Sequence, residues 1–141
     1  MQKVQFHFLD RKPTLQERTR LKLFIEKLFI TEKKKLGNLS YVFCSDEHLL
    51  GINRDFLKHD FYTDVITFDL SQTKNEIEGE VYLSVDRIKD NAKQLRVSSK
   101  EELHRVIFHG ALHLCGHKDK NKTDEQQMRL VENRYLKQYF K

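Results

Sequence analysis

Residues 98–119 read SSKEELHRVIFHGALHLCGHKD, and the interpretation of the whole chain starts from this stretch. Its apolar residues recur at helical spacing, and two overlapping Ser-x-x-Glu pairs, starting at Ser98 and Ser99, are typical of a capping box at a helix start. Gly116 suits the position just after a helix end. The stretch therefore predicts one long helix that ends at Gly116, immediately before further histidine and aspartate residues.

Two histidines stand four residues apart on this helix. Because four residues turn a helix by about 400°, His109 and His113 lie on one face, within reach of a single metal ion. The break at Gly116 lets the chain double back, so that His117 or Asp119 could meet the same ion. Three protein ligands leave a position open for water, which is typical of a catalytic zinc site.

The alternative interpretation is that these are ordinary histidines at a buried helix end. Both imidazoles border the apolar stripe of the helix, and Phe108 and Leu112 make its far side apolar, so we expect burial on most sides. Two buried imidazoles without partners would be unfavourable, and sharing one metal ion would remove that penalty. The spacing therefore favours a metal site.

The residue after His109 argues against a metalloprotease. Zinc proteases with a helical histidine pair carry a glutamate at that position as general base, and this chain has Gly110. Glu102 lies almost two turns earlier, about 10 Å along the helix axis, and is a weak substitute. Cys115 points away from the histidine pair and is interpreted as a packing residue. The pattern indicates metal-assisted hydrolysis without the protease base.

The remaining sequence predicts an α+β fold in a single domain over residues 1–141, with a four-stranded mixed sheet packed against about five helices. Strands are predicted at 4–8, 39–44, 63–70 and 79–85, the last two as an antiparallel pair. Helices are predicted at 14–35, 46–56, 86–95, 98–116 and 123–140. Further capping boxes are expected at Thr14 with Glu17 and at Thr123 with Gln126.

Composition narrows the class of protein. The N-terminus has no signal-peptide pattern, no apolar stretch of about 18 residues occurs, and the only cysteines are Cys44 and Cys115. We therefore expect a soluble cytoplasmic protein with no membrane partner and no structural disulfide. The net charge of +5 places basic ends around an acidic middle, which is compatible with a nucleic-acid partner.

Three segments resemble the YbeY family of bacterial endoribonucleases. HGALHLCGHKD (109–119) is similar to that family's HGxLHLxGYDH signature, INRDFLKHDFYTDVITF (52–68) to its segment ending in TDVLSF, and EGEVYLSVDRIKDNAKQ (78–94) to the strand and helix that follow. The resemblance implies a metalloprotease-like fold and a metal-dependent endoribonuclease that carries one zinc ion per chain. It also implies single-stranded ribosomal RNA as substrate, action in 16S rRNA 3′-end maturation and ribosome quality control, and small-subunit ribosomal proteins as candidate partners.

Carried over by position, the family's metal ligands fall on His109, His113 and Asp119. Asp119 replaces a histidine, and a carboxylate is an accepted zinc ligand. His117 replaces the signature's tyrosine, and it remains an alternative third ligand or a proton donor.

The family-like segment 52–68 adds candidate substrate-binding residues, namely Asn53, Thr63 and Asp64, and Asp64 is also a candidate catalytic residue. Asn and Asp routinely cap helices and turns, so purely structural roles for these residues stay open. The family's Tyr-Arg pair falls on Phe56 and Leu57. If that arginine holds a phosphate, the task must pass to a neighbour such as Arg54, Lys58 or His59.

Two other functions remain open from sequence. One is a metal-dependent hydrolase of another substrate class, such as a peptidase. The other is a ribosome-associated RNA-binding module whose metal only stabilises the fold. For a nuclease, attack by water and attack by the 2′-hydroxyl of the RNA are equally compatible with the residues.

Overall fold

Nine regular elements follow one another within residues 2–141. The computed structural model describes residues 2–141. It contains β1 (Val4–Phe8), α1 (Arg18–Thr31), β2 (Leu36–Cys44), α2 (Asp46–Leu57), β3 (Val65–Asp69), β4 (Ile77–Ser84), α3 (Val85–Leu95), α4 (Ser99–Leu114) and α5 (Lys122–Tyr139). The α+β class with four strands and five helices is confirmed. Strands β2 and β4 begin earlier than expected, and β3 is shorter at both ends.

The four strands form one mixed sheet in the order β1-β2-β4-β3. β1 pairs with β2 and β2 with β4 in parallel, each through a crossover that contains a helix, while β3 and β4 form the expected antiparallel pair. β3 is therefore an edge strand. Within residues 2–141, no helix has both the length and the apolar character needed to cross a bilayer.

Helix α4 packs directly on the sheet, and two glycines make this close approach possible. A Cβ atom at Gly110 would lie 2.7 Å from Cγ1 of Val81, and one at Gly79 would lie 2.7 Å from Cδ1 of Leu114. The buried Tyr41 hydroxyl donates to the carbonyl of Ile107 at 2.8 Å, which ties α4 to β2. These contacts fix the height and rotation of the helix that carries the histidine pair.

We expect Gly110→Ala to lower the free energy of unfolding by about 1–3 kcal/mol, because the new methyl group overlaps Val81 and α4 must move off the sheet. Gly51→Ala is the matched control, since a Cβ at this helical glycine meets nothing within 4 Å. The control should gain about 0.4–1 kcal/mol from reduced chain entropy in the unfolded state. Urea unfolding of both variants measures the difference, and equal effects would contradict the packing argument.

The helix caps were only partly predictable. Ser98 caps α4 as expected, with its hydroxyl accepting from the Glu101 N–H at 3.0 Å. The capping box at Thr14 and Glu17 is wrong, because α1 begins only at Arg18 and Glu17 is left-handed with no side-chain cap. The box at Thr123 and Gln126 is also wrong: Asn121 caps α5 and accepts from the Asp124 N–H. Asn121 is an equally good cap two residues earlier, and local pattern alone does not choose between the two.

Candidate metal centre

A cavity of about 770 Å³ lies beside α4, between the edge strand β3 and the first half of α5. Its lining includes the residues proposed as metal ligands or substrate-binding residues, namely Asn53, Thr63, Asp64, His109, His113 and Asp119, but not His117, Arg54 or Lys58. These residues come from α2, the loop before β3, α4 and the loop after it. The fold therefore brings together residues that are up to 66 positions apart, from 53 to 119.

Both ring nitrogens of His109 contact carboxylate oxygens. Its Nδ1 lies 2.6 Å from Oε2 of Glu132 in α5, and its Nε2 lies 3.3 Å from Oδ2 of Asp119. Burial would lower the pKa of His109, yet the hydrogen bond and charge of Glu132, with the charges of Asp119 and Asp64, raise it above its ordinary value. A proton and a metal ion therefore compete for this ring.

His113 is more open than expected. Its ring centroid lies 6.2 Å from that of His109, and its Nδ1 donates to the backbone carbonyl of His117 at 3.1 Å. The expectation of two buried imidazoles is wrong for His113, which is exposed, because this last turn of α4 faces the cavity rather than the core. The hydrogen bond leaves Nε2 as the free ring nitrogen.

The donor set fits zinc chemically. Two atoms bound tetrahedrally to one zinc ion at about 2.0–2.1 Å stand about 3.3 Å apart, and this is the separation of His109 Nε2 from Asp119 Oδ2. In both histidines Nδ1 is hydrogen-bonded, to a carboxylate in one case and to a carbonyl in the other, which is the usual support of metal-ligating imidazoles. As they stand, no three His, Cys, Asp or Glu side chains among residues 2–141 form a metal-binding group, so His113 must move closer to complete the set.

The structure separates the two candidates for third ligand. Asp119 lies against His109, whereas the His117 ring turns to α1, where its Nε2 donates to Oε1 of Glu32 at 2.6 Å. Burial would raise the pKa of Glu32, but hydrogen bonds from Tyr135 and His117 lower it, so Glu32 accepts as a carboxylate. His117 thus contributes its carbonyl, not its ring, to the surroundings of His113.

Sequence reasoning missed the carboxylate that orients His109. Glu132 is buried, and besides His109 it accepts from Nη1 of Arg105 at 3.0 Å. Arg105 Nη2 in turn donates to Oδ1 of Asn133 at 2.6 Å. No motif joins positions 109 and 132, which come together only because α5 packs along α4. The apolar spacing of α5, with Met128, Glu132, Tyr135 and Leu136 on its buried face, was the available signal.

The candidate substrate residues have structural partners as well as places in the cavity wall. Asn53 is buried, and its Nδ2 donates to the Phe61 carbonyl at 2.9 Å, which closes the loop after α2. The Thr63 hydroxyl donates to the carbonyl of Val65, the first residue of β3, at 3.5 Å. Asp64 accepts from Asn91 through Oδ2, and burial raises its pKa above the ordinary value. Of these three residues, Asp64 is therefore the one that could take up or release a proton in the cavity.

At the mouth of the cavity, Leu57, the last residue of α2, stands where the family resemblance would place an arginine. Leu57 lines the cavity, and Arg54 instead pairs with Asp60. His59 also lines the cavity and stacks on Phe61, with centroids 5.1 Å apart and an angle of 20° between the rings. An aromatic pair thus occupies this side of the mouth.

Glu102 is an unusual wall residue. It is 5% exposed, and its Oε1 is a buried oxygen with no hydrogen-bond partner in the part of the chain that the structure describes. Burial, followed by the negative charge of Asp64, raises the pKa of Glu102 above its ordinary 4.5, although Arg105 and Arg129 act in the opposite direction. The native chain therefore holds a proton on Glu102 at pH values where the unfolded chain has lost it.

This shift predicts a pH-dependent effect of Glu102→Gln. Because the folded-state pKa is raised, Glu102 of the unfolded chain ionises first, near pH 4.5. The native protein therefore loses stability as pH rises from about 4.5 through the folded-state pKa. The neutral variant avoids this loss, so we expect it to be about 1 kcal/mol more stable than the native chain at pH 8 and no more stable at pH 4. Urea unfolding at both pH values, with a chelator present, measures this; an equal difference at both pH values would refute the ionisation argument.

Comparison with known proteins agrees with this architecture. The sequence model of the family described as Endoribonuclease YbeY matches residues 7–140. An Endoribonuclease YbeY of Cytophaga hutchinsonii is 46% identical over 127 residues, which cover 90% of this chain and 89% of that protein. One of Flavobacterium psychrophilum is 43% identical over 123 residues, 87% of each chain.

A solved structure agrees with the fold. The solution structure of a Thermotoga maritima protein matches with a TM-score of 0.59 and 24% identity, covering 96% of this chain and 89% of that one. Together with the family match over residues 7–140, the fold and its α4 cavity lead to one conclusion: the chain belongs to the YbeY endoribonuclease family.

Proposed function

We propose that this protein is a zinc-dependent endoribonuclease that cleaves single-stranded RNA, and that it acts in 16S rRNA 3′-end maturation and ribosome quality control. The names of its relatives support ribonuclease activity. The same family relationship supports the proposed ribosomal role. It also makes small-subunit ribosomal proteins candidate partners and the cytoplasm the expected location.

The observation that carries the proposal is the charge of the cavity. Five acidic side chains line it (Asp64, Glu102, Asp119, Glu125 and Glu132) against two arginines (Arg105 and Arg129), so acidic groups outnumber the arginines even when Glu102 keeps its proton. Arg105 is already paired with Glu132. A phosphodiester can approach such a surface closely only if a cation neutralises part of it. His109, His113 and Asp119 would hold that cation.

When bound there, zinc would supply Lewis-acid stabilisation of phosphate charge and would activate water near neutral pH. Glu132 keeps the His109 proton on Nδ1, so that Nε2 faces the cavity with a lone pair available to an ion. Oδ1 of Asp64 is the candidate atom to take up or return a proton, since Oδ2 accepts from Asn91. Arg129, exposed at the rim, can contact a flanking phosphate.

The aromatic mouth supports a preference for unpaired RNA. Unpaired bases stack on aromatic side chains, whereas bases inside a duplex do not offer their faces. His59 stacks on Phe61 in this position, and the ring of Phe61 is 56% exposed. We therefore expect cleavage of single strands over duplexes of the same sequence.

The test is cleavage of one RNA sequence, single-stranded and annealed, by protein of measured zinc content. Zinc at about one ion per chain and selective cutting of the single strand would support the proposal. A 2′,3′-cyclic phosphate product would identify 2′-hydroxyl attack, and its absence would favour water. Stoichiometric zinc without RNA cleavage would overturn the nuclease proposal in favour of a binding module, and cleavage of casein would favour a peptidase.

The peptidase alternative has little support from the cavity. A metalloprotease base would have to occupy position 110, where even a Cβ atom would lie 2.7 Å from Val81. A glutamate there could not be accommodated without moving α4. The nuclease proposal needs no residue at this position.

A further inference from the structure

One carboxylate outside the cavity joins three parts of the fold next to the candidate ligands. Glu32, the residue that caps the C-terminal end of α1, accepts from His117 Nε2 through Oε1 and from the Tyr135 hydroxyl through Oε2. Tyr135 belongs to α5 and is buried. Glu32 therefore links α1, α5 and the loop between α4 and α5, although it does not line the cavity.

The loop that Glu32 holds is also the support of His113. Residue 117 is fixed at two points, since its N–H donates to the Leu112 carbonyl at 3.1 Å and its ring donates to Glu32. The chain turns at Gly116, immediately before His117, and the φ of 105° at this position suits glycine. The His117 carbonyl between these anchors accepts from Nδ1 of His113. His113 itself is exposed, so core packing does not hold its ring.

We propose that Glu32 is a positioning residue of the metal centre: it holds His117, whose carbonyl keeps the proton of His113 on Nδ1 and leaves Nε2 free for the ion. The proposal rests on the proposed role of His113 as a ligand. It assigns a task to the histidine that stands where the family signature has tyrosine. The physical basis is general, because the hydrogen bond on one imidazole nitrogen fixes both the tautomer and the orientation of the other.

Zinc affinity tests this link directly. His117→Phe keeps a ring but removes the donor to Glu32, and we expect its zinc dissociation constant to rise about 10-fold, measured by competition with a chromophoric chelator. Glu32→Gln retains an acceptor oxygen and should stay within about 3-fold of the native chain. Tyr135→Phe is the matched control: it removes the other hydrogen bond of Glu32 and should affect stability more than zinc affinity.

A metal-free measurement separates positioning from general destabilisation. Long-range proton–nitrogen NMR on the zinc-free protein should show His113 protonated at Nδ1 in the native chain and in Glu32→Gln. In His117→Phe we expect a mixture of both tautomers, with thermal unfolding confirming that the variant is folded. If His117→Phe binds zinc as the native chain does and keeps the Nδ1 tautomer, Glu32 has no positioning role.

These outcomes are distinct from failure of the proposed function. If the native chain binds zinc but cleaves no RNA, the nuclease proposal fails while the affinity and tautomer results still decide the role of Glu32. If the native chain binds no zinc, both proposals are overturned. If His113→Ala binds zinc as tightly as the native chain, His113 is not a ligand, and the positioning role of Glu32 is overturned while the nuclease proposal stands on its own test.

Discussion

The His113→Ala variant is expected to lose stoichiometric zinc and to cleave single-stranded RNA at least about 100-fold more slowly than the native chain. Only His109 and Asp119 would remain of the proposed ligand set, and two ligands hold zinc far more weakly than three. Because His113 is exposed, the substitution leaves no cavity in the core, and the fold should persist. Zinc content and RNA cleavage are measured on the same preparation.

His48→Ala is the matched control for this prediction. His48 is an exposed histidine on α2 that does not line the cavity, so its removal should change neither zinc content nor rate. Removal of zinc from the native chain with a chelator should reproduce the loss of activity, and added zinc should restore it. Loss of zinc with undiminished cleavage in His113→Ala would identify the activity as a contaminating ribonuclease.

The largest effect on stability is expected from Arg105→Met, which should lower the free energy of unfolding by about 3–5 kcal/mol. The side chains of Arg105 and Glu132 are 11% and 5% exposed, and the guanidinium joins Glu132 to Asn133. Methionine fills similar space but removes the permanent cation beside the buried Glu132 carboxylate, which then keeps only its hydrogen bond from His109. Urea unfolding of chelator-treated protein measures the change.

A second substitution distinguishes lost charge pairing from lost packing. In Arg105→Met with Glu132→Gln, the buried charge that Arg105 no longer balances is removed, so we expect the double variant to be at least about 1 kcal/mol more stable than Arg105→Met alone. If instead the two losses add, the penalty arises from packing around α5 rather than from an isolated carboxylate.

The sequence was most informative where chemistry depends on neighbours along one helix. The spacing of His109 and His113, the Ser98 cap and the stop at Gly116 all lie within 19 residues, 98 to 116, and the structure retains each of them. The β3–β4 pair was predictable for the same reason, because a polar loop joins two β-branched segments. Local patterns therefore located α4 and named His117 and Asp119 as candidate third ligands, and the family resemblance favoured Asp119.

Contacts between distant elements could not be read from such patterns. Glu132 meets His109 because α5 packs on α4, and Glu32 meets His117 because α1 ends beside the loop after α4. The openness of His113 was also missed, since a helical wheel shows which face is apolar but not whether another element covers it. Each of these features depends on packing angles that the spacing of residues does not determine.

The hydrogen bond between His109 and Glu132 also sets an order for completing the site during protein synthesis. The ribosome adds residue 132 after residue 109, and α5 can pack only once its own sequence has left the exit tunnel. Until then His109 lacks the carboxylate that fixes its tautomer, and Arg105 lacks its buried partner. The site as a whole therefore depends on the last helix of the chain, because the carboxylate that orients His109 reaches it only once α5 has docked on α4.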